Sequence, residues 1–320
     1  MSLESSSLLS FVIPVKDEEG SIVELTKKIF ESVDSIGGKY KKEIIFIDDG
    51  SYDKSWELIL QLAKENPGVI KAIRFRRNFG KSVALESGFN LATGDLIFTM
   101  DADLQDDPKE IPRFIDEINK GYDLVSGWKE KRNDPLSKTL PSKLFNKVTS
   151  WTTGIQLHDF NCGFKCYKQE IVKSIKVYGE LHRYVPVLAH DMGYRVGEIA
   201  VEHHPRQHGK SKYGWERYAR GFIDLLTVLA TTRWLNKPGH LFGGFGLLMG
   251  LLGSAGLFYL SILWLFGLGP IGNRPLLLFS VMFCILSLQM ISLGVIAEFF
   301  IRTKNPRDIK ALISEIVSND

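Results

Sequence analysis

The sequence predicts an α/β protein with a mostly parallel sheet, followed by amphipathic juxtamembrane helices and two transmembrane helices. Short apolar, β-rich segments alternate with helix-like segments through the first half of the chain, which is typical of a parallel sheet covered by helices. Polar clusters directly follow several of the predicted strands. Near residue 240 the composition changes, and two long stretches then carry almost no charge.

The elements follow from the spacing of apolar residues. Strands are predicted where apolar residues run together, and helices where apolar residues recur every three to four positions. In Ser21–Ile36, for example, Ile22, Leu25, Ile29 and Val33 share one helix face. The predicted strands are Leu8–Val15, Lys42–Ile47, Val69–Phe75, Asp95–Met100, Asp123–Gly127 and an edge strand over 195–205. The predicted helices are Ser21–Ile36, Ser55–Glu65, Lys81–Leu91, Ile111–Gly121 and Ser142–Gly154, and Lys129–Ser137 is a predicted loop.

The polar clusters after the strands indicate one site. In open parallel sheets ligands bind beyond the carboxyl ends of the strands. Four loops are therefore expected to converge on one rim of the sheet. Their polar residues are Asp17 and Glu18, Asp48 and Asp49, Arg76 to Asn78, and Asp101 with Asp103.

The most informative segment is Asp101-Ala102-Asp103, which directly follows the apolar run Leu96–Phe98. Strand alternation predicts that both carboxylates point to the same side, where a cation would relieve their repulsion. Hard oxygen ligands in an open site favour Mg²⁺ or Mn²⁺, which typically bridges to phosphates. The pattern predicts a metal-held diphosphate. The alternative is a solvated acidic turn, because short motifs also match by chance.

Length and charge narrow the class of protein. The chain has 320 residues, compatible with one large domain and an appendage, and its net charge of +3 predicts no nucleic-acid partner.

Cys162, Cys166 and Cys284 suit a reducing compartment. The first two lack a second pair for a metal site, so ordinary thiols are expected. Met1–Ser10 has no basic start and too short an apolar core for a signal peptide.

Two segments predict membrane spans. Leu241–Asn273 and Pro275–Ala297 contain no charged residue, and each supplies the roughly 20 apolar residues that a spanning helix needs. The alternative is a pair of buried core helices, which rarely run so long without a charge. Basic residues flank the spans on their outer sides, and the connection carries only Arg274, so the soluble domain and both termini are expected in the cytoplasm. The flanking residues are Arg233, Lys237, Arg302, Lys304, Arg307 and Lys310.

Between the two parts, Tyr213–Trp234 interleaves aromatic and aliphatic residues with arginines. This pattern predicts a helix on the membrane surface; the alternative is a helix packed on the soluble domain or on a sister subunit. The expected domains are 1–212, 213–240, 241–301 and a cytoplasmic tail over 302–320. Small residues in the first span could pack against further copies, so a homo-oligomer is expected. They are Gly243, Gly246, Gly250 and Gly253.

Five motifs stand in order along the chain. They are Pro14-Val15-Lys16-Asp17-Glu18, Asp48-Asp49-Gly50-Ser51-Tyr52-Asp53, Arg77-Asn78-Phe79-Gly80-Lys81, Asp101-Ala102-Asp103-Leu104-Gln105-Asp106-Asp107-Pro108 and Arg206-Gln207-His208-Gly209-Lys210-Ser211-Lys212. Together they resemble the family 2 glycosyltransferases of the GT-A type, whose sheet is Rossmann-like. The similarity is greatest to the polyisoprenyl-phosphate glycosyltransferases, such as bactoprenol glucosyltransferases and dolichol-phosphate mannose synthase. One departure is Lys16-Asp17, where the family often has an aromatic residue followed by Asn.

The resemblance implies roles for the donor side of the site. Asp49 would hydrogen-bond the nucleobase; the alternative is a turn with a helix cap at Ser51 or Asp53. Asp103 would be the direct metal ligand, with Asp101 facing ribose and metal. Gln105 is a weaker metal ligand. The other residues expected at the nucleotide sugar are Pro14, Asp17, Glu18, Asn78, Lys81 and Ala102.

The acceptor side needs cations, because a sugar diphosphate and a lipid monophosphate must meet there. Arg206 and Lys212 are the candidates for binding phosphate, Ser211 could donate its hydroxyl, and Arg132 could assist. The alternative is a solvated basic loop. The resemblance implies that Asp159 lies near the acceptor, where it would orient the lipid phosphate or stabilise the transition state; a structural cap is its alternative. The histidines are expected at the surface or in packing, with His204 the strongest site candidate among them.

These expectations define an inverting, metal-dependent glycosyltransferase of the bacterial inner membrane. The resemblance implies transfer from a nucleotide diphosphate sugar, UDP-glucose above all, to undecaprenyl or another polyprenyl phosphate. A processive polysaccharide synthase is the first rival, but Ala230 stands where such enzymes carry the Gln of a Gln-x-x-Arg-Trp motif. The second rival is a non-catalytic lipid-binding or translocating protein that retains the fold.

Overall fold

The computed structural model describes residues 7–130, 146, 149–150, 153–177, 179, 181–204 and 238–304. Described residues up to 204 belong to one compact unit, and those from 238 onwards belong to a second. Four predicted site residues lie outside the described residues, as do the predicted amphipathic helix over 213–234 and the tail from 305. These site residues are Arg132, Arg206, Ser211 and Lys212.

The described part of the first unit contains one seven-stranded sheet, with strand order β3-β2-β1-β4-β6-β5-β7. Every neighbouring pair is parallel except the two pairs that β6 makes with β4 and β5. The predicted mostly parallel sheet is therefore confirmed. The strands are β1 Ser7–Val15, β2 Tyr40–Asp48, β3 Ile70–Arg74, β4 Leu96–Thr99, β5 Leu124–Trp128, β6 Lys165–Lys168 and β7 Val196–Ala200.

Two strands differ from the prediction. Sequence spacing did not predict β6, because its four residues, Lys165–Lys168, have a lysine at each end. Strand β7 lies at an edge of the sheet as expected, but it ends at Ala200 rather than continuing to residue 205. The register explains this end, since Ala200 pairs with Trp128, the last residue of β5.

Helices cover both faces of the sheet. Along β1, Leu9, Phe11 and Ile13 pack in one core and Val12 packs in the other, as strand alternation requires. The predicted apolar face of α1 is buried against the first core. The helices whose bounds the structure describes in this unit are α1 Ile22–Ser35, α2 Ser55–Glu65, α3 Lys81–Leu91, α4 Ile111–Asn119, α5 Gln169–Ser174 and α6 Val185–Asp191, with 3₁₀ turns at Pro108–Glu110 and Leu181–Arg183.

A buried glutamate joins the strands near their amino ends, away from the rim that carries the predicted site. Glu43 of β2 is 4% exposed and accepts hydrogen bonds from the hydroxyl of Ser10 and the ammonium of Lys71. The backbone and hydroxyl of Thr93 donate to the same carboxylate over 3.1 and 3.0 Å. Its four donors satisfy this charge inside the protein, so Glu43 links β1, β2, β3 and the turn before β4.

The second unit consists, in its described part, of helices α7 Pro238–Leu265 and α8 Pro275–Lys304. Both are long and apolar enough to cross a membrane, with windows of mean hydropathy 1.8 and 2.3. Only 17% and 6% of those windows are buried. This exposure argues against the alternative of two buried core helices.

The small residues of α7 face α8 within the same chain. A Cβ on Gly246 would lie 2.9 Å from the Ser287 carbonyl oxygen, and one on Gly253 would lie 2.8 Å from the Ser280 carbonyl oxygen. Gly250 similarly approaches the Ser287 side chain, whereas a Cβ on Gly243 would meet nothing within 4 Å. Three of the four glycines thus allow α7 and α8 of the same chain to approach closely. These three glycines are therefore already covered by α8 and are not available to pack against another copy of the chain.

Candidate active site

The first two loops of the rim hold one another in place. Lys16 donates its ammonium hydrogen bond to the Gly50 carbonyl and lies 4.2 Å from the Tyr52 ring centroid. Asp17 has a positive φ of 49°, its amide donates to the Ser51 hydroxyl over 2.9 Å, and its carboxylate accepts the Tyr52 amide over 2.8 Å. Asp17 therefore holds the first two loops together. Its contact with the nucleotide stays a prediction.

Glu18 and Pro14 complete the first loop. The Glu18 amide donates to the Ser55 hydroxyl at the start of α2 over 2.9 Å. Pro14 lies near the end of β1, opposite Ile47, and is half-buried. Both predicted residues therefore border the rim, Glu18 through a backbone contact.

Asp49 connects the second loop to the third. The two oxygens of its buried carboxylate accept the backbone N–H groups of Phe79 and Gly80 over 2.7 and 3.0 Å. Burial raises the pKa of Asp49 above its ordinary value, against the opposing effect of these two N–H groups. The turn of the alternative is also present, because Asp48 Oδ1 accepts the Ser51 amide over 2.9 Å and Asp53 Oδ1 accepts the amide of Ser55, the first residue of α2, over 3.0 Å. Asp49 itself bonds the loop before α3. That loop also carries Asn78, which is exposed.

Lys81 connects the third loop to the fourth. It is the first residue of α3, and its ammonium donates to the Asp101 carboxylate. Burial alone would raise the pKa of Asp101, but the ammonium groups of Lys81 and Lys129 hold it well below the ordinary range. The predicted convergence of four loops is thus visible as a continuous series of contacts along the rim.

The Asp-x-Asp segment lies in a turn. Strand β4 ends at Thr99, and Leu104 has a positive φ of 59°, so the predicted argument from strand alternation does not apply to Asp101 and Asp103. Ala102 and Asp103 are buried at 4% and 7% exposure. The Asp103 carboxylate accepts the Gln105 amide over 3.2 Å. The two carboxylates and the Gln105 side-chain carbonyl are a hard oxygen set that suits Mg²⁺ or Mn²⁺.

A buried ion pair extends this site. Lys129, just after β5, lies with its ammonium 3.1 Å from the Asp106 carboxylate. Asp106 is 1% exposed and also forms a β-bridge with His203. The pKa of Lys129 is raised well above its ordinary value: burial opposes the charge, but Asp106 and Asp101 more than compensate. Lys129 therefore remains a cation beside the carboxylates of the site.

A second group of candidate metal ligands lies next to this pair. Asp107, Glu202 and His204 place one ligand atom each within 4.8 Å of one another. The His204 ring nitrogen Nε2 is 3.2 Å from Asp107 Oδ2, and the His204 amide donates to the Gln105 carbonyl over 2.9 Å. His204, the strongest site candidate among the histidines, thus contacts the segment that follows the Asp-x-Asp turn.

Asp159 lies in a segment that reaches the same turn. It is 1% exposed, and its Oδ1 accepts the Asn161 amide over 3.0 Å. Four residues later, a Cβ on Gly163 would lie 2.5 Å from Asp101 Oδ2. Gly163 therefore lets the Asp159 segment pack directly on the Asp101 carboxylate. The bond from the Asn161 amide closes a local turn at Asp159, and no helix begins there.

The described residues of this rim line two clefts. One, of about 320 Å³, is lined by Gly50 to Tyr52 and by Arg74 to Arg77, next to Asp49. The other, of about 10 Å³, lies between Lys81, Gly163 and Lys165. Burial and the neighbouring cations lower the pKa of His182, which also lines this cleft, well below its ordinary value.

Comparison with known proteins places this geometry in a family. The model of glycosyl transferase family 2 matches residues 10–176. The chain is 38% identical over 299 residues to a dodecaprenyl-phosphate galacturonate synthase of Rhizobium johnstonii, with 92% of this chain and 88% of that protein covered. It is 35% identical over 313 residues to an undecaprenyl-phosphate 4-deoxy-4-formamido-L-arabinose transferase of Edwardsiella ictaluri, with 97% and 93% covered.

Solved structures show the same fold. Glucosyl-3-phosphoglycerate synthase from Mycobacterium tuberculosis, in complex with Mn²⁺, uridine diphosphate and phosphoglyceric acid, superposes with a TM-score of 0.53. The superposition covers 71% of this chain and 78% of that one at 16% identity, so it shows the fold alone. The chain belongs to glycosyl transferase family 2 and is a glycosyltransferase with the GT-A fold. The family and branch that its motifs resemble are both confirmed.

Sequence reasoning missed several residues of this rim. Lys129, Lys165 and Glu198 are far apart in the chain and reach this rim only through tertiary contacts, whereas Asp106 lies inside the quoted motif but was given no role. Asp106 and Asp107, directly after Gln105, were the one sign in the sequence that cationic residues would be found here. A carboxylate that is buried beside a metal motif needs a cationic partner to offset the cost of its desolvation.

Proposed function

We propose that this protein transfers a sugar from a nucleotide diphosphate sugar to a polyprenyl phosphate at the surface of a membrane, with inversion at the anomeric carbon. The observation that carries the proposal is the meeting of four loops around Asp101 and Asp103, in a chain that also has two membrane-length apolar helices. The names of the relatives support a polyprenyl-phosphate acceptor.

Each side of the rim has its own part in donor binding. Asp103, Asp101 and Gln105 would hold a divalent ion, with Asp107, Glu202 and His204 as a second set of ligands close by. The ion would neutralise charge on the leaving diphosphate. Asp49 keeps the second and third loops together around the base, and Lys81 fixes the Asp101 carboxylate. Pro14, Asp17, Glu18, Asn78 and Ala102 would form the remaining nucleotide contacts.

The acceptor is a phosphate monoester, whose second pKa is near 6. It arrives as an anion and needs no general base, so Asp159 would orient the acceptor or stabilise positive charge developing at the sugar. Arg132, Arg206, Ser211 and Lys212 would bind its phosphate. Lys129 holds a positive charge beside the carboxylates of the site. This charge would lower the repulsion between the nucleotide diphosphate sugar and the polyprenyl phosphate, which are both anions.

Glucose from UDP-glucose is the donor we propose, following the bactoprenol-type resemblance. The named relatives instead indicate galacturonate and 4-deoxy-4-formamido-L-arabinose as the competing sugars. Discrimination among such sugars depends on a few hydrogen bonds in the pocket. Comparing several nucleotide sugars with the same acceptor therefore identifies the sugar, whether or not glucose is the one transferred.

The experiment uses purified full-length protein in detergent with undecaprenyl phosphate and labelled UDP-glucose, UDP-galacturonic acid or UDP-4-deoxy-4-formamido-L-arabinose. Label should enter the lipid fraction with Mg²⁺ or Mn²⁺ and should stay out of it with chelator. Label from a donor other than UDP-glucose would overturn the sugar assignment alone. Label in no lipid, or label in a water-soluble polymer, would overturn the acceptor and with it the reaction proposed.

We also propose that the enzyme is a multi-pass protein of the bacterial inner membrane, with the catalytic unit and both termini in the cytoplasm, and that it forms a homo-oligomer. The basic residues flanking the apolar helices support this orientation.

A further inference from the structure

The segment His158–Gly163 is held from one end by a single carboxylate on the edge strand β7. Glu198 Oε1 accepts the backbone N–H groups of His158 and Asp159, each over 3.0 Å. Glu198 Oε2 lies 3.0 Å from the His158 amide and 2.8 Å from its ring nitrogen Nδ1. The side chain of Glu198 is 10% exposed, whereas that of His158 is 67% exposed, so the ring contact is open to water while the carboxylate itself is largely covered. Hydrogen bonds to an ionised acceptor are about twice as strong as neutral ones.

A cation holds the other end of the same segment. Lys165 of β6 is 3% exposed, and its ammonium donates to the carbonyls of Cys162 and Phe160. Burial lowers the pKa of Lys165, so these carbonyls provide the polar contacts that the buried amine requires. The hydroxyl of Thr99 donates to the Gly163 carbonyl over 2.8 Å. Charged side chains of opposite sign thus fix the amides at one end and the carbonyls at the other.

The segment ends against the Asp-x-Asp turn. Gly163 packs on the Asp101 carboxylate so closely that a Cβ would lie 2.5 Å from its Oδ2. At its beginning, the His158 ring stacks on Trp128 with centroids 4.1 Å apart, directly before Lys129. The placement of Asp159 relative to Asp101 therefore depends on what holds this segment.

We propose that Glu198 is a positioning residue for sugar transfer, which holds Asp159 in place through the two amides at the start of the segment. The inference rests on the proposed function, because the role of Asp159 at the acceptor belongs to that proposal. Glu198 itself reaches the segment and not the reacting atoms. Its loss should leave donor binding by the first three loops intact and should disturb the step that uses Asp159.

The variants separate shape from charge. In Glu198→Gln the amide oxygen, in the position of Oε1, can still accept both backbone N–H groups. The new N–H₂, in the position of Oε2, no longer accepts the His158 amide but can donate to an unprotonated His158 Nδ1. Glu198→Ala removes all acceptors, and Glu198→Asp keeps the charge but withdraws it by one methylene. Glu170→Ala is the matched control, because Glu170 is an exposed glutamate on α5.

Transfer kinetics of the full-length protein with undecaprenyl phosphate are the first readout. A displacement of about 1 Å can lower a rate about 100-fold, so kcat of Glu198→Ala should fall about 10- to 100-fold. The KM for the nucleotide sugar should change by less than about threefold, because the loops that would bind the donor do not include Glu198 and should bind it as tightly as before. Glu198→Gln should keep most of the activity. In an Asp159→Ala background, Glu198→Ala should have little further effect, because residues acting as one unit are not additive.

Hydrogen exchange is the second readout and does not require activity. The His158 and Asp159 amides should exchange at least about tenfold faster in Glu198→Ala and Glu198→Asp than in the wild type, and at near wild-type rates in Glu198→Gln and Glu170→Ala. If Glu198→Ala does not fold, the Glu198→Asp comparison carries the test. Unchanged exchange, or fully additive losses with Asp159→Ala, would overturn the positioning role. A wild type that transfers no sugar would overturn the proposed function, while the exchange data would still decide what Glu198 holds.

Discussion

At the scale of single residues, Asp101 and Asp103 share one turn but have different surroundings. Asp101 is paired with the ammonium of Lys81 and packs on Gly163, whereas the described bond of the Asp103 side chain is to a backbone amide. Lys81 already compensates part of the Asp101 charge. In the proposed function, Asp103 is the direct metal ligand and Asp101 faces the ribose and the metal.

Asp103→Asn should lower metal-dependent sugar transfer by about 100-fold or more, because loss of this charge weakens the ion that would stabilise the leaving diphosphate. The measurement is initial rate over a titration of Mn²⁺ and of Mg²⁺. Asp116→Asn is the control, since Asp116 is exposed on α4. Equal rates for Asp103→Asn and Asp116→Asn would remove Asp103 from the ligand set.

Glu43 should matter for stability and not for catalysis. Burial raises its pKa, but the bonds from Lys71, Ser10 and Thr93 outweigh burial and leave the pKa below its ordinary value of 4.5. Its stabilisation is thus fully present above pH 4.5 and is lost as pH falls through the lower pKa of the folded state.

Glu43→Gln should destabilise the folded protein at pH 7 by about 1–3 kcal/mol, because an amide cannot satisfy all four donors. Thermal unfolding in detergent at pH 7 and at pH 3.5 measures the effect. The difference from the wild type should shrink at the lower pH, and a difference that grows there would contradict the assigned sign.

At the scale of elements, the helix α7 packs through glycines on one side only. The face with Gly246, Gly250 and Gly253 meets α8, while Gly243 points to open space. Overpacking costs typically 1–3 kcal/mol where neighbours cannot move, and the neighbours of Gly253 include the backbone of α8.

Gly253→Val should therefore lower the thermal stability of the protein in detergent and reduce the fraction recovered as a monodisperse species. Gly243→Val, which introduces the same side chain at a site with nothing within 4 Å, should be close to neutral. The reverse order would mean that the Gly243 face, rather than the face toward α8, makes the close helix contact.

Periodicity predicted the elements whose pattern is local. The buried face of α1 follows from Ile22, Leu25, Ile29 and Val33, and the mostly parallel sheet follows from the alternation of strands and helices. The strand β6 and the bonds of Glu198 could not be predicted in this way, because both depend on contacts across more than 30 residues. The same holds for Asp49, whose residue type suggested a ligand contact or a cap, but which joins two loops.

At the scale of the whole molecule, the orientation of the two apolar helices in the membrane determines on which side of the membrane the active site lies. If the catalytic unit is cytoplasmic, the connection between the helices must face the other side of the membrane. Asn273→Cys should react with a membrane-impermeant maleimide added outside intact spheroplasts, whereas Ser318→Cys should react only after permeabilisation. The native cysteines give the background, since Cys162 and Cys166 are buried. Labelling of Ser318→Cys from outside would contradict the proposed topology.

The proposed reaction depends above all on the acceptor, a polyprenyl phosphate. The most direct measurement is the mass of the product formed by purified enzyme from undecaprenyl phosphate and a nucleotide sugar. We predict a lipid whose mass equals that of the acceptor plus one dehydrated sugar, which mild acid converts back into free sugar and undecaprenyl phosphate. A product that carries several sugars, or a sugar attached to a water-soluble molecule with the lipid unchanged, would contradict the account.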